Sequence, residues 1–417
     1  MSIIRDINLK AEGHQRIAWV ARHMPVLNAI GDRFEKEKPF AGIRIALSVH
    51  LEAKTAYLVK TLMRGGAKLS VTGSNPRSTQ DSVCAALADD GVDVYAIHGV
   101  SHEEQVSFWK KALSVHPHII IDDGADLMNL MLGECKEFAD DLIGDCEETT
   151  SGVQRLRGWE RNGRLIFPAI PVNDARCKSY FDNTYGTGQT VWDAIMRTTN
   201  LQINGKTVVI AGYGYCGKGI ASVAKGLGAQ VVITEIDPVK SLLAIMDGHK
   251  AMSMNEAAKL GDIFVTATAC RDVLRPEHFA VMKNNAIVSN AGHFNNEIDL
   301  DGLRQMSKAC LPLRKNLDGY VLADERTVCV IADGGLVNIA AADGHPAEIM
   351  DMSFSLQALS AEYLLKNKST IKAGVHKIPE EVDIRVGQLK LSALGGGYDT
   401  LSKEQEEYMN PPLISND

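Results

Sequence analysis

Two hydrophobic rhythms alternate along the first third of the chain. Short β-branched and apolar runs, GIRIALSV, AKLSVTG, DVYAIHG and HIIIDDG, have the length and composition of strands. Between them lie amphipathic segments such as EAKTAYLVKTLMRGG and STQDSVCAALADDG, with the spacing of helices. Strands alternating with helices predict a parallel sheet covered on both faces. Ligands of such sheets collect at the C-terminal strand ends. His50, Asn75 and Asp123, each just past such a run, are therefore the first candidates.

The rhythm restarts near residue 205. QTVWDAIMRTTN predicts a joining helix and INGK the turn into TVVIAG. The runs AQVVITE, DIFVTAT, NAIVSNAG and TVCVIAD come after it as further strands. From residue 346, AEIMDMSFSLQALSAEYLLK is a helix too apolar for a linker and should pack back against the first unit. A helix over EEVDIRVGQLKLSAL, a GGG break and SKEQEEYM end the pattern. The last opens on a capping box from Ser402 to Gln405.

Composition narrows the class. The chain has 417 residues and a formal net charge of −8, without a Lys/Arg-rich block. That points away from nucleic acid and anionic membranes as main partners. The N-terminal stretch is broken by charges and carries no secretory apolar core, and no run approaches a membrane span. Eight scattered cysteines without a C-x-x-C pair fit reduced thiols, no structural metal and a cytoplasmic location.

The most specific local signal is VVIAGYGYCGKGIASVAKGLGAQVVITEIDP, residues 208 to 238. Gly212, Gly214 and Gly217 form G-x-G-x-x-G. They give a tight turn, a close backbone approach to a pyrophosphate, and close helix–strand packing beneath a helix N-terminus. Glu235 ends the next strand, where a carboxylate accepts from ribose hydroxyls; ITEID brings no basic residue, which favours NAD over NADP. The expected fold is α/β, with two Rossmann-like doubly wound parallel-sheet domains and a short C-terminal helical tail. Residues 1–188 and 346–394 form the substrate-binding domain, 189–345 the NAD-binding domain, and 395–417 the tail.

The motifs SVHLEAKTA, GSNPRSTQD, IDDGADL, CEETTSGV, PVNDARCKSYFDNTYGTGQ, GYGYCGKG, SNAGHF and LVNIAAADGHP together resemble the S-adenosyl-L-homocysteine hydrolase family. The resemblance implies a tightly held NAD that oxidises the substrate's ribose 3'-hydroxyl, so that the C4' proton becomes acidic. The C5' thiol is expelled, water adds, and the hydride returns. It also implies a homotetramer, or a homodimer.

Carried over by motif, Lys178 takes the 3'-hydroxyl proton, with Asp182 setting its charge and Asn183 beside it. Asp123 handles the C4' proton, or proton exchange at C5' together with the histidines. Glu148 accepts from the 2'- and 3'-hydroxyls, and one or both of His50 and His293 serve the leaving thiolate and the water. The implied substrate contacts are Glu52, Lys54, Thr55, Asn173, His345 and Met350, with Asn75 a secondary polar contact. The implied NAD contacts, besides the three glycines, Glu235, Asn183 and His293, are Thr149, Thr150, Tyr215, Cys216, Ile236, Thr268, Ala291, Gly292, Asn338 and His345.

Three positions depart from the better-known members. Glu52 and Lys54 stand where those carry a threonine and a glutamate or glutamine that receives the adenine amino group. Lysine has only donors, which suits a 6-oxo purine. HLEAKT resembles the subgroup that includes S-inosyl-L-homocysteine hydrolases. The adenosyl substrate comes first and the inosyl form is the alternative. Thr187 replaces a cysteine, so no thiol is required there, and the ending NPPLISND makes cross-subunit NAD contacts by the tail doubtful.

Overall fold

The computed structural model describes residues 2–410. Residues 411–417, most of the NPPLISND ending, lie outside the described residues.

The apolar runs of the first third become β1 (Arg44–Val49), β2 (Lys68–Gly73), β3 (Asp93–Tyr95) and β4 (Ile119–Asp122). Two further strands, β5 (Gly144–Glu147) and β6 (Pro168–Pro171), are too polar or too proline-bounded for the apolar pattern to mark them. These strands pair in the order β3-β2-β1-β4-β5-β6, every pairing parallel. The order reverses between β1 and β4, which opens a crevice beyond their C-terminal ends. His50 and Asp123 come directly after those two strands.

The second sheet contains β7 (Thr207–Ala211), β8 (Gln230–Thr234), β9 (Lys250–Ala251), β10 (Ile263–Thr266), β11 (Ala286–Asn290), β12 (Ser307–Arg314), β13 (Leu317–Leu322) and β14 (Thr327–Ile331). Its order is β12-β13-β14-β11-β10-β7-β8-β9, with the reversal between β7 and β10. The sheet is mostly parallel, as a doubly wound domain requires, and carries an antiparallel pair, β12 and β13, at one edge. Only Lys315 and Asn316 separate these strands, and Asn316 sits at φ 61°. A two-residue connection closes an antiparallel hairpin and cannot span a parallel crossover.

The apolar helix Ala347–Lys366 returns to the first sheet as expected, with Phe354, Leu356 and Leu364 in one core with Ile45, Leu47 and Leu62. Burying a phenylalanine that fully contributes on the order of 3 kcal/mol. Beyond it, β15 (Gly374–Val375) adds to the edge beside β6. The helix Glu380–Ala393 comes next, then Lys403–Met409 with the Ser402–Gln405 capping box.

The joining segment differs most from a regular helix. Ser179–Gly186 forms a wide π turn before the α-helix Thr187–Thr199. That helix crosses Tyr215–Gly226 at close range, where Cβ atoms on Gly188 and Gly219 would come within 2.7 Å of Gly219 and 1.9 Å of the Thr184 carbonyl oxygen. The glycines are required for contact, since only hydrogen fits.

Candidate active site

One cavity of about 990 Å³ lies between the C-terminal ends of the two sheets. That is at the upper limit for small-ligand sites, about 300–1,000 Å³. At its centre the turn after β4 is shaped by Glu147, whose carboxylate accepts from the backbone N–H of Gly124 (2.9 Å) and Ala125 (2.8 Å). Asp122 caps the same turn through Asp123 N and Met128 N and is structural, as expected. Asp123 is thereby presented to two histidines, with His50 Nε2 at 3.4 Å and His293 Nδ1 at 3.6 Å. His293 comes from the loop after β11, so this group joins the two sheets.

Ser74 donates to Asp123 Oδ2 at 2.8 Å. Ser78 Oγ donates to the Asn75 carbonyl at 2.8 Å and lies 2.7 Å from His50 Nδ1. Ser78 and Asp123 thus bracket the His50 ring, with Nδ1 on Ser78 and Nε2 toward Asp123 and the cleft. Burial pushes His50 down to about 4, against the attraction of Asp123, so its ring is neutral at physiological pH. Burial would raise Asp123, but His293, the Ser74 hydrogen bond and Lys178 outweigh it and hold the carboxylate ionised.

The second cluster owes its geometry to the π turn. Its i→i+5 spacing lets both Asp182 and Asn183 reach back to Lys178. Lys178 Nζ donates to Asn183 Oδ1 at 2.7 Å and lies 3.5 Å from Asp182 Oδ1 and 3.7 Å from Glu148 Oε1. All four side chains are buried. Asn173 completes the group, accepting from Asn183 at 3.0 Å. Asp182 accepts from Ser353 Oγ at 2.7 Å and pairs with His345 Nδ1 at 2.9 Å. Burial opposes ionisation of Asp182, but Lys178 and His345 prevail and keep it a carboxylate. Burial likewise works against the Lys178 ammonium, and Asp182 and Glu148 overcome it, raising its pKa. Burial pushes Glu148 up to about 7. Gln357 Nε2 bonds Glu148 Oε2 at 2.5 Å, while Oε1 is buried with no hydrogen-bond partner among the described residues. Such an acceptor facing a cleft is free to receive a ligand hydroxyl.

On the second sheet, Gly212 turns at φ 94°. A Cβ on Gly214, at the N-terminus of Tyr215–Gly226, would meet no protein atom within 4 Å and would stand in open space. Glu235 closes the loop by accepting from Tyr213 N at 2.8 Å and from Ile236 N at 2.8 Å. Thr268 is held by Glu297, through Oγ1 at 2.7 Å. Asn338 Nδ2 donates to Thr190 at 3.1 Å, and its Oδ1 is buried without a partner among the described residues. At the remaining end, Lys54 Nζ pairs with Glu52 Oε2 at 2.8 Å and donates to the Asp343 carbonyl at 3.2 Å.

Comparison with known proteins decides the family. Residues 2–140 match the model of S-adenosyl-L-homocysteine hydrolase, and residues 183–344 match that of its NAD binding domain. The S-inosyl-L-homocysteine hydrolase of Methanocaldococcus jannaschii is 51% identical over 406 residues, 97% of this chain and 98% of that protein. The adenosylhomocysteinase of Pyrococcus abyssi is 53% identical over 406 residues, 97% and 96% of the two chains. The S-inosyl-L-homocysteine hydrolase of Methanococcus maripaludis is 50% identical over 410 residues, 98% and 99%. The chain belongs to the S-adenosyl-L-homocysteine hydrolase family.

NAD is the cofactor of this hydrolase. The residues present fit it: open space at Gly214 for a pyrophosphate, the Glu235 carboxylate for a ribose, and Asn338 Oδ1, without a hydrogen-bond partner among the described residues, for a carboxamide N–H. All but two of the residues assigned to chemistry, substrate or cofactor line the common cavity. One exception is Gly217, where a Cβ would lie 2.0 Å from the Gly212 carbonyl oxygen, so its role is packing. Asn75 does not line the cavity either; its Oδ1 accepts from Arg77 N and shapes the turn. Thr187 Oγ1 lies 3.7 Å from Cys216 Sγ. Sequence reasoning misses Ser353 and Gln357, although their spacing of three and seven from Met350 on an apolar helix is a readable polar stripe.

Asp145 on β5 is fully buried, with no hydrogen bond to either oxygen among the described residues. Burial and Asp122 raise its pKa well above the usual carboxylate range. The native chain then holds a proton that the unfolded chain releases above about pH 3.9, so this group's contribution to stability falls as pH rises. Asp145→Val is expected to stabilise the protein by about 1–3 kcal/mol at pH 7 and by less at pH 4. Denaturant titrations at the two pH values check the sign.

Proposed function

We propose that this chain reversibly hydrolyses S-adenosyl-L-homocysteine to adenosine and L-homocysteine, with residues 1–188 and 346–394 binding substrate and 189–345 binding NAD. The observation that carries the reading is Glu148 Oε1, 3.7 Å from Lys178 Nζ and without a hydrogen-bond partner among the described residues, in one cavity with the His50–Asp123–His293 group. Bound NAD supplies a reversible hydride acceptor for C3'. Glu148 receives the ribose hydroxyls, and Lys178 accepts the 3'-hydroxyl proton once it has given up its own. Asp182 and Asn183 hold the Lys178 nitrogen in place. Asp123, ionised and central, takes the C4' proton that the 3'-carbonyl has made acidic. His50, neutral and with Nε2 toward the cleft, activates water at C5' and, when protonated, serves the departing thiolate. His293 shares this work from the other side.

The base end supports two purines. Lys54 spends two of its three N–H donors on Glu52 and Asp343 and keeps one for a 6-oxo group. The Glu52 carboxylate beside it can accept from an amino group. Adenosyl is therefore the first reading and inosyl the second, favoured by Lys54.

The test is mass spectrometry of the molecules carried by the purified protein, joined to rates of synthesis from homocysteine with adenosine or inosine. The expected result is bound NAD and turnover of both nucleosides. A strong adenosine preference that survives Lys54→Glu would remove Lys54 from base reading. Cytoplasmic action in the methyl cycle goes with this function. A homotetramer, or a homodimer, is supported by the exposed Val239, Leu242 and Met246 on the helix Pro238–Met246.

A further inference from the structure

Arg77 lies in the turn after β2, outside the catalytic groups. Its Nη1 donates to the Ala332 carbonyl at 2.8 Å and its Nη2 to Asp333 Oδ2 at 2.7 Å, crossing from the first sheet to the loop after β14. That loop is strained: Ala332, Asp333 and Gly334 all turn at positive φ, 51°, 49° and 66°. Asp333 also faces Asp318, which places a second carboxyl beside the clasp.

Each end of the contact leads to a histidine. On the first sheet, Arg77 adjoins Ser78, which holds His50 Nδ1 at 2.7 Å. On the second, the Gly334 carbonyl accepts from Asn290 Nδ2 at 3.0 Å. The same amide contacts the carbonyls of Gly292 (3.1 Å) and Phe294 (2.8 Å), the two neighbours of His293. Asn290 is fully buried. An exposed ion pair alone contributes little. This one is two-pronged, holds a strained carbonyl and closes a continuous path between two loops whose spacing around Asp123 matters.

We propose that Arg77 is a positioning residue whose clasp with the 332–334 loop sets the distance between His50 and His293. The proposal rests on the hydrolase reading, and it separates two stages of that reaction. Proton transfers at C4' and C5' depend on the histidine spacing. Oxidation at C3' depends on the Lys178 cluster, which the clasp does not touch.

The experiment compares Arg77→Ala, Asp333→Ala, the double variant and Arg77→Lys, each confirmed folded by its melting curve. Two signals are read on the NAD-loaded enzyme: formation of reduced nicotinamide on mixing with nucleoside, and net turnover. Turnover is expected to fall roughly tenfold in both alanine variants while reduced nicotinamide stays within about twofold. The double variant should be no worse than either single one, and Arg77→Lys, which keeps one prong, should lie between. Unchanged turnover, or both signals falling together, would overturn the proposal. Absence of reduced nicotinamide in the unmodified enzyme would instead overturn the hydrolase reading.

Discussion

Lys178→Met is expected to lower turnover about 10³-fold and to abolish the reduced nicotinamide formed when nucleoside is mixed with enzyme, because general-base transfer is worth about 10²–10⁴. The ammonium is the shared counter-ion of Asp182 and Glu148, both buried. Removing it strands two carboxyls, and breaking such a buried pair costs about 3–5 kcal/mol. His345 and Ser353 still bond Asp182, so the loss falls mainly on Glu148, which responds by holding its proton more tightly. A protonated Glu148 can no longer receive both ribose hydroxyls, and nucleoside affinity should fall with the rate. The same geometry fixes a pH dependence. Lys178 titrates above its ordinary value, so its basic form grows as pH rises, and 3'-oxidation should accelerate toward alkaline pH. Stopped-flow absorbance across pH measures both effects. Oxidation that persists undiminished in the methionine variant would assign the proton to another group.

Asp123→Asn should produce the opposite division. Asparagine keeps a hydrogen-bonding group for Ser74 but cannot take a proton, so oxidation at C3' survives while exchange of the C4' hydrogen with solvent and net turnover fall about 10²–10⁴-fold. The neutral side chain also withdraws the attraction that raises His50, whose pKa should then drop further from about 4. Deuterium incorporation at C4', monitored by NMR in heavy water, separates this variant from Lys178→Met. Loss of both oxidation and exchange in Asp123→Asn would place Asp123 in the first stage.

Periodicity and turn chemistry made much of this molecule readable in advance. The runs IALSV and HIIID became adjacent strands, and the residues just beyond them met at 3.4 Å. VVIAGYGYCGKG became strand, glycine turn and helix as its spacing required. Other parts could not be read in the same way. GDCE and PAIP form strands because their neighbours in the sheet supply the pairing, which overrides weak local preference. The hairpin of β12 and β13 hid behind an exposed, charged edge. The reach of Asp182 and Asn183 to one nitrogen depends on a wide helical turn, which a period of 3.6 does not describe. Asp145 had no signal of its own, since a carboxylate in a short polar run gives no hint that all sides of it are covered.

The wide turn at Ser179–Gly186 also bears on how this chain can vary in length. Ordinary connections gain and lose residues with little consequence, but here one residue fewer would rotate the helix Thr187–Thr199 by about 100° relative to Lys178. The carboxylate and amide would swing off the lysine, and Gly188 would leave its seat against Gly219. The stretch is thus a fixed-length ruler between two anchored ends, and sequence drift within it is confined to exchanges that leave the count intact.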